Sequence, residues 1–382
     1  MNRRTRLAVL LFAVVLLGTV GTAAVLRAAD RSAVRDRQQT DGPTVRTGDV
    51  MLRPPGERQL LVRNLAWGPH RDEIATVPAG HPDGPRTASG VKCLRFHAAA
   101  GTGICLQAER GALADTYRAV VLDAHLRVRH RFPAPGIPTR SRVSPSGHLV
   151  AWTVFVSGDS YAGTAFSTRT AIADTRTWAL DDNLEEYAVT KDGRPYHASD
   201  LNIWGVTFAD DTRFYATLAT GGRTYLVRGD RTARTLTTLH GNVECPSLSP
   251  DGTRIAYKKR VPGASQDAPW RLYVLNLATM KETATAEQRN IDDQALWSGN
   301  DTLVYALPGD YGSDLWTVPA DGSGTARRMM TSAVAPAYAG WQKDRLAAVP
   351  GPPARGPGQR FAGLTGRQVA GERDLRHQHR AP

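Results

Sequence analysis

Asn202, Glu244 and Asp293 are the residues of this chain best suited to chemistry. An amide and two carboxylates are hard oxygen donors, a set that suits Ca²⁺. A cation held by them at a concave mouth would serve a hydrolase or lactonase-like reaction. Asp159, Tyr161, Asp200, Trp204 and Tyr311 are the polar and aromatic residues expected beside them. Such groups converging on one concavity are the ordinary pattern of a ligand site, although carboxylates also cap strand ends and bind loop amides. Ready-made catalytic motifs are missing: the chain has no His-Glu-x-x-His, no Cys-x-x-Cys and no phosphate loop. Gly158-Asp159-Ser160-Tyr161-Ala162 has the outline of a nucleophile elbow but ends in Ala. It also falls between strands, where the elbow needs a strand-to-helix turn. Gly101-Thr102-Gly103 lacks the third Gly and the helix of a dinucleotide site, and reads as a hairpin tip. His377-Gln378-His379 could chelate a metal, but a solvated tail makes a poor site. The expectation is a protein that is not an enzyme, with no cofactor and no resident metal; Ca²⁺ belongs only to the hydrolase alternative.

The elements that position these residues are repeats. Leu248-Ser249-Pro250-Asp251-Gly252 runs into Arg254-Ile255-Ala256-Tyr257, an apolar strand, a polar turn and a second apolar strand. Asp-Gly between apolar runs is a strong hairpin signal, because Gly takes φ > 0 without steric cost. Bulky anchors before comparable turns are Trp67, Val143, Phe208, Leu248, Trp297 and Trp341. The last three intervals match the roughly 40–50 residues of a propeller blade. The first two are longer and read as blades with insertions. Four strands are expected around Leu248: Pro246–Leu248, Arg254–Lys259, Arg271–Leu277 and Glu282–Thr285.

The last repeat is short. Leu346–Val349 is followed by Pro-Gly-Pro-Pro-Ala-Arg-Gly-Pro-Gly, which cannot supply outer strands. The spare N-terminal segments Asp49–Arg53 and Arg58–Arg63 are expected to complete that blade and close the ring. The fold class is therefore all-β, a six-bladed propeller closed by N-terminal strands. These repeats resemble the WD-repeat-like repeats of TolB and its relatives, including the propellers of prolyl-oligopeptidase-type enzymes. The resemblance implies a bacterial, membrane-associated protein without an enzyme domain. It implies a scaffold or interaction role in the cell envelope.

Turns after the first and third strands of a blade lie on one face; those after the second and fourth lie on the other. The short Pro/Asp/Gly turns make the first face plain. Long segments are expected opposite, among them Ala79–Thr116, Ser157–Ser167, Pro262–Trp270 and Pro308–Asp314. The residue four before each anchor should approach the channel mouth: Arg63, Thr139, Trp204, Glu244 and Asp293.

The net charge of +12 invites a nucleic-acid reading. However, seven arginines fall in residues 1–37 and six in residues 351–382. The body between is nearly neutral and has no phosphate-binding stripe, so nucleic acid is not an expected partner. Leu7–Leu26 is twenty residues without a charge. At 1.5 Å per residue it spans about 30 Å, the hydrocarbon thickness. Residues 1–26 read as a signal anchor with the N-terminus inside, or as a signal peptide cleaved after Ala24, which would release the protein. Residues 27–47 read as a polar stalk, 48–350 as the propeller and 351–382 as a disordered Gly/Pro/Arg-rich tail. Cys93 and Cys105 flank a hairpin and form either a disulfide or two buried thiols. Expected partners are the membrane, through the N-terminal helix, and a protein, peptide or envelope component bound by an extracytoplasmic propeller.

Overall fold

The computed structural model describes residues 2–37, 40–111, 114–158, 161 and 166–340. Six sheets, antiparallel in their four blade strands, form the blades of a propeller. The fifth blade shows the plan: Glu244–Leu248 lies innermost, then Arg254–Arg260, Trp270–Asn276 and Glu282–Ala284 outward. The third blade repeats it with Ile137–Val143, Leu149–Ser157, Ser167–Asp174 and Leu180–Asp181. Middle strands are covered on both faces by neighbouring blades, so they read as continuous apolar runs rather than alternating ones. Leu149 to Phe155 is accordingly buried at every position.

Closure follows from the chain ends. Ala333–Ala339 is the innermost strand of the closing blade, and Gln59–Asn64 pairs antiparallel with it, Gln59 opposite Ala339 and Asn64 opposite Ala333. Glu73–Pro78 and Arg86–Lys92 complete that blade. The N-terminal strand thus closes the ring as expected. Asp49–Arg53 does not form a strand; Val50 and Leu52 instead plug the core between the closing and second blades. Trp341 and Leu346–Val349 lie outside the described residues, as does the tail.

The blade count of six is reached by a different route from the anchors. Trp67 does not lead a first strand. It lies in the loop between Gln59–Asn64 and Glu73–Pro78, the second and third strands of the closing blade. Trp67 therefore belongs to the closing blade and leads no blade of its own. The interval after Trp67 holds no insertion but the entire second blade: Arg95–Ala99, Thr102–Glu109, Thr116–Leu122 and Val128–Pro133. Its first turn is Ala100-Gly101, both at positive φ (53° and 81°), a tight hairpin without Pro or Asp.

Cys93 and Cys105 are joined by a disulfide. It links the chain leaving Arg86–Lys92 to the second strand of the next blade, inside an apolar cluster with Phe96 and Val120. Closing a loop of this size stabilises by about 3 kcal/mol on the chain-entropy account. Such bonds persist in oxidising compartments.

The helix α1 (Arg3–Asp36) is long and apolar enough to cross a membrane, by length and composition. It continues through the first ten residues expected as stalk. The end of that stalk is also structured: Val45–Thr47 pairs parallel with Arg86–Lys92, adding a fifth strand at the rim of the closing blade.

Candidate functional site

The inner strands all begin at one end of the channel, where second-to-third-strand loops and blade-to-blade links also lie. Thr139, Trp204, Glu244 and Asp293 meet there through intermediaries. Tyr161 is the hub. Its hydroxyl shares a 2.7 Å hydrogen bond with Thr139 Oγ1, and its ring stacks on Trp204 at 4.8 Å. Phe155 and Phe166 pack on the same ring at 4.6 and 5.5 Å. Burial pushes the Tyr161 hydroxyl well above the ordinary tyrosine range.

Charge enters this aromatic cluster from the fifth blade. Glu244 and Lys258 are register partners on adjacent strands, and both side chains are 0% exposed. Lys258 Nζ lies 4.0 Å from Glu244 Oε2 and 2.5 Å from Asp292 Oδ1. It also lies 3.7 Å from the Trp270 ring centre, a cation–π contact. Arg260 Nε donates to Glu244 Oε1 at 2.8 Å, and its Nη2 donates to the Tyr161 carbonyl at 2.6 Å. Arg140 Nη2 reaches Asp292 at 3.5 Å. Asp292 is half exposed; partial burial raises its pKa, but Lys258 and Arg140 outweigh that and hold it below the ordinary carboxylate range. Asp293 accepts from the amides of Gln294 and Ala306 at 2.8 and 3.1 Å.

Several buried atoms here have no hydrogen-bond partner: Arg140 Nη2, Trp204 Nε1, Glu244 Oε2 and Trp270 Nε1. Each costs about 1–3 kcal/mol of desolvation when left unmet. Beside the mouth, an open cleft of about 710 Å³ runs between the second and third blades. Tyr117, Pro133, Ile137 and Val156 line it, and Phe155 joins it to the aromatic cluster.

Other residues of the predicted set do not join this cluster. Asp159 lies outside the described residues. Asp200 binds Thr220 Oγ1 and the Gly221 amide at 2.7 and 2.6 Å, so it caps the hairpin of the fourth blade. Asn202 Oδ1 accepts from the Thr168 amide at 2.7 Å and braces the third blade against the fourth. Tyr311 packs edge-on against Trp67 at 5.4 Å, between the sixth and closing blades. Trp67 thus lies on the mouth face, not the plain one.

Ca²⁺ does not fit this donor set. Asn202 is engaged by Thr168 and Glu244 by Arg260, while Asp293 serves two amides. Two further cations flank Glu244 and Asp292. Among the described residues, no three His, Cys, Asp or Glu side chains come together to hold a metal ion. The residues missed by sequence reasoning are the cations. Arg95 and Arg140 lie on inner strands beside the anchor pattern, and Lys258 and Arg260 reach the mouth from a second strand.

The Asn202 brace contains a partly buried acid. Glu185 accepts from the Thr168 hydroxyl and the Ile203 amide, both at 3.1 Å, and from the Thr170 amide at 3.3 Å. Burial raises its pKa from 4.5 to about 7, against these hydrogen bonds. An acid whose folded pKa lies above its unfolded value binds more protons folded than unfolded between the two. Stability from this group is therefore greatest below about pH 4.5 and declines up to about pH 7, by on the order of 3 kcal/mol. The expected result is a melting temperature that falls from pH 4.5 to 7 more steeply in the wild type than in Glu185→Gln. Parallel pH curves for the two proteins would refute the assignment.

No protein-family model and no curated protein sequence matches the chain. Solved structures do. TolB from Acinetobacter baumannii is similar at 18% identity and a TM-score of 0.48, over 75% of this chain and 68% of that one. A puromycin-hydrolysing peptidase from Mycobacterium tuberculosis is similar at 13% identity and 0.45, over 72% of this chain and 44% of the peptidase. An oligogalacturonate lyase from Vibrio parahaemolyticus is similar at 10% identity and 0.42, over 65% of this chain and 72% of the lyase.

Proposed function

We propose that the chain is a membrane-tethered, extracytoplasmic binding module. It takes a protein, peptide or cell-envelope component at the channel mouth and performs no chemistry on it. The observation that carries this reading is the open cleft of about 710 Å³ beside the mouth, which Phe155 joins to the aromatic cluster of Tyr161, Trp204 and Trp270. A concave apolar cleft beside polar and charged groups is the ordinary form of a binding site. The apolar α1 supports the tether and the Cys93–Cys105 disulfide supports an oxidising compartment.

The test is a photo-crosslinker at Ser157 on the mouth face, compared with one at Thr279 on the opposite face. In membranes, Ser157 is expected to capture a discrete partner, Thr279 is not, and Trp204→Ala is expected to abolish capture. Equal capture at both positions would sink the reading. No capture, together with stabilisation of the purified protein by Ca²⁺, would replace it with the hydrolase alternative.

A further inference from the structure

We infer that the mouth carries an oxyanion site between Arg95 and Arg140, built to take a carboxylate of the bound ligand. The inference rests on the mouth being a binding site. Arg95 Nε and Arg140 Nη1 donate to the same acceptor, the Thr139 carbonyl oxygen, at 2.7 and 2.9 Å. Two guanidinium groups are thereby held side by side with only a neutral oxygen between them. Arg63 lies on the other flank of Arg95, with its Nη1 on the neighbouring Leu94 carbonyl at 2.7 Å.

The other two arginines have carboxylates. Arg63 pairs with Asp72 at 2.6 Å and Arg140 with Asp292 at 3.5 Å. Among the described residues Arg95 forms no ion pair and its Nη atoms form no hydrogen bond, although Asp293 attracts it from beyond ion-pair distance. Burial lowers its pKa to about 10, and repulsion from Arg140 and Arg63 adds to the effect.

Arg140 Nη2 makes no hydrogen bond and meets Asp292 only at 3.5 Å. Two adjacent guanidinium groups with so little acceptor between them call for a ligand that brings acceptors. The nearby acids do not fill the role, because Asp292 is taken by Lys258 at 2.5 Å and Asp293 by two backbone amides. Paired planar guanidinium groups match a carboxylate better than a spherical ion.

The experiment follows thermal unfolding of the full chain in detergent by tryptophan fluorescence. Acetate is titrated against chloride at equal ionic strength. Acetyl-trialanine is then compared with its C-terminal amide. Acetate is expected to raise the melting temperature saturably, with an apparent affinity at least about tenfold weaker in Arg95→Gln. The free-acid peptide should act like acetate and the amide should not. In chloride, Arg95→Gln should melt at or above the wild-type temperature, since it removes a repulsion. A purely structural arginine would give the opposite result. Arg131→Gln, at the exposed rim, should leave the acetate response unchanged. An acetate response with neither peptide effective supports the site and assigns it to a small carboxylate. No acetate response in the wild type, or an equal one in Arg95→Gln, overturns it. Partner capture at Ser157 without an acetate response removes this site and leaves the binding reading standing; the converse result removes the binding reading alone.

Discussion

Arg86→Ala is expected to lower the stability of the propeller by about 3–5 kcal/mol. Arg86 is 2% exposed. It stands at the start of the fourth strand of the closing blade and reaches across to the segment leading into the first. Its Nη1 donates to Asn64 Oδ1 at 2.6 Å and to the Ser332 carbonyl at 2.9 Å, and its Nη2 donates to the Thr331 carbonyl. One guanidinium therefore holds both sides of the seam. Truncation leaves Asn64 Oδ1 and the Thr331 carbonyl without this donor and opens a cavity the size of the side chain, while the Ser332 carbonyl keeps the Leu65 amide at 2.8 Å. Burial lowers the pKa of Arg86 to about 10, partly offset by Asp314, so the residue stays charged at neutral pH. Urea denaturation would measure the loss. Arg86→Lys should recover less than half of it, because an ammonium lacks the planar fork that serves three acceptors. A loss under about 1 kcal/mol for Arg86→Ala would show that strand pairing alone holds the seam.

The second large effect is expected at Lys258. Lys258→Met roughly keeps the volume but removes the charge between Glu244 and Asp292, and with it the cation–π contact to Trp270. Glu244 is then left fully buried with Arg260 as its remaining cation. Breaking a buried pair in this way costs about 3–5 kcal/mol, since the orphaned charge stays desolvated. Arg260 reduces the figure, and about 2–4 kcal/mol is the expectation. The double variant Lys258→Met with Glu244→Gln should recover at least about 1.5 kcal/mol of the summed loss, because the two residues are neighbours in one network. Additive losses in the double-mutant cycle would mean that Lys258 is held by its aromatic neighbours rather than by Glu244.

Much of this molecule was legible in its residues, and the parts that were not have physical reasons. The fifth-blade strands expected near Leu248 fall within two residues of those observed. The chemistry of Pro250-Asp251-Gly252 announces that hairpin: Gly252 has φ of 73°, and Asp251 binds the Thr253 amide at 3.0 Å. The second blade escaped notice because Ala100-Gly101 turns the chain without Pro or Asp, and small residues stand where a bulky anchor was sought. The positions four before the anchors led to Thr139, Trp204, Glu244 and Asp293 because each anchor ends or nearly ends an inner strand, and four residues back reaches the level where those strands begin or their entry segments run. The cations did not follow from that rule. Lys258 faces Glu244 only through the pairing register, a tertiary fact. The engagement of Asn202 is a tertiary fact as well: its side-chain oxygen accepts from Thr168, a residue of another blade.

The seam also sets an order on synthesis. Arg86 and the Ser332 carbonyl it holds are 246 residues apart in the chain. Three outer strands of the closing blade leave the ribosome early, while their innermost partner, Ala333–Ala339, emerges near the end. Until then Gln59–Asn64 presents an unpaired apolar edge, and such edges recruit other strands. A chain cut short before Ala333 would retain every strand of the other five blades and still expose that edge. Arrival of Ala333–Ala339 thus decides whether the growing product is soluble or sticky.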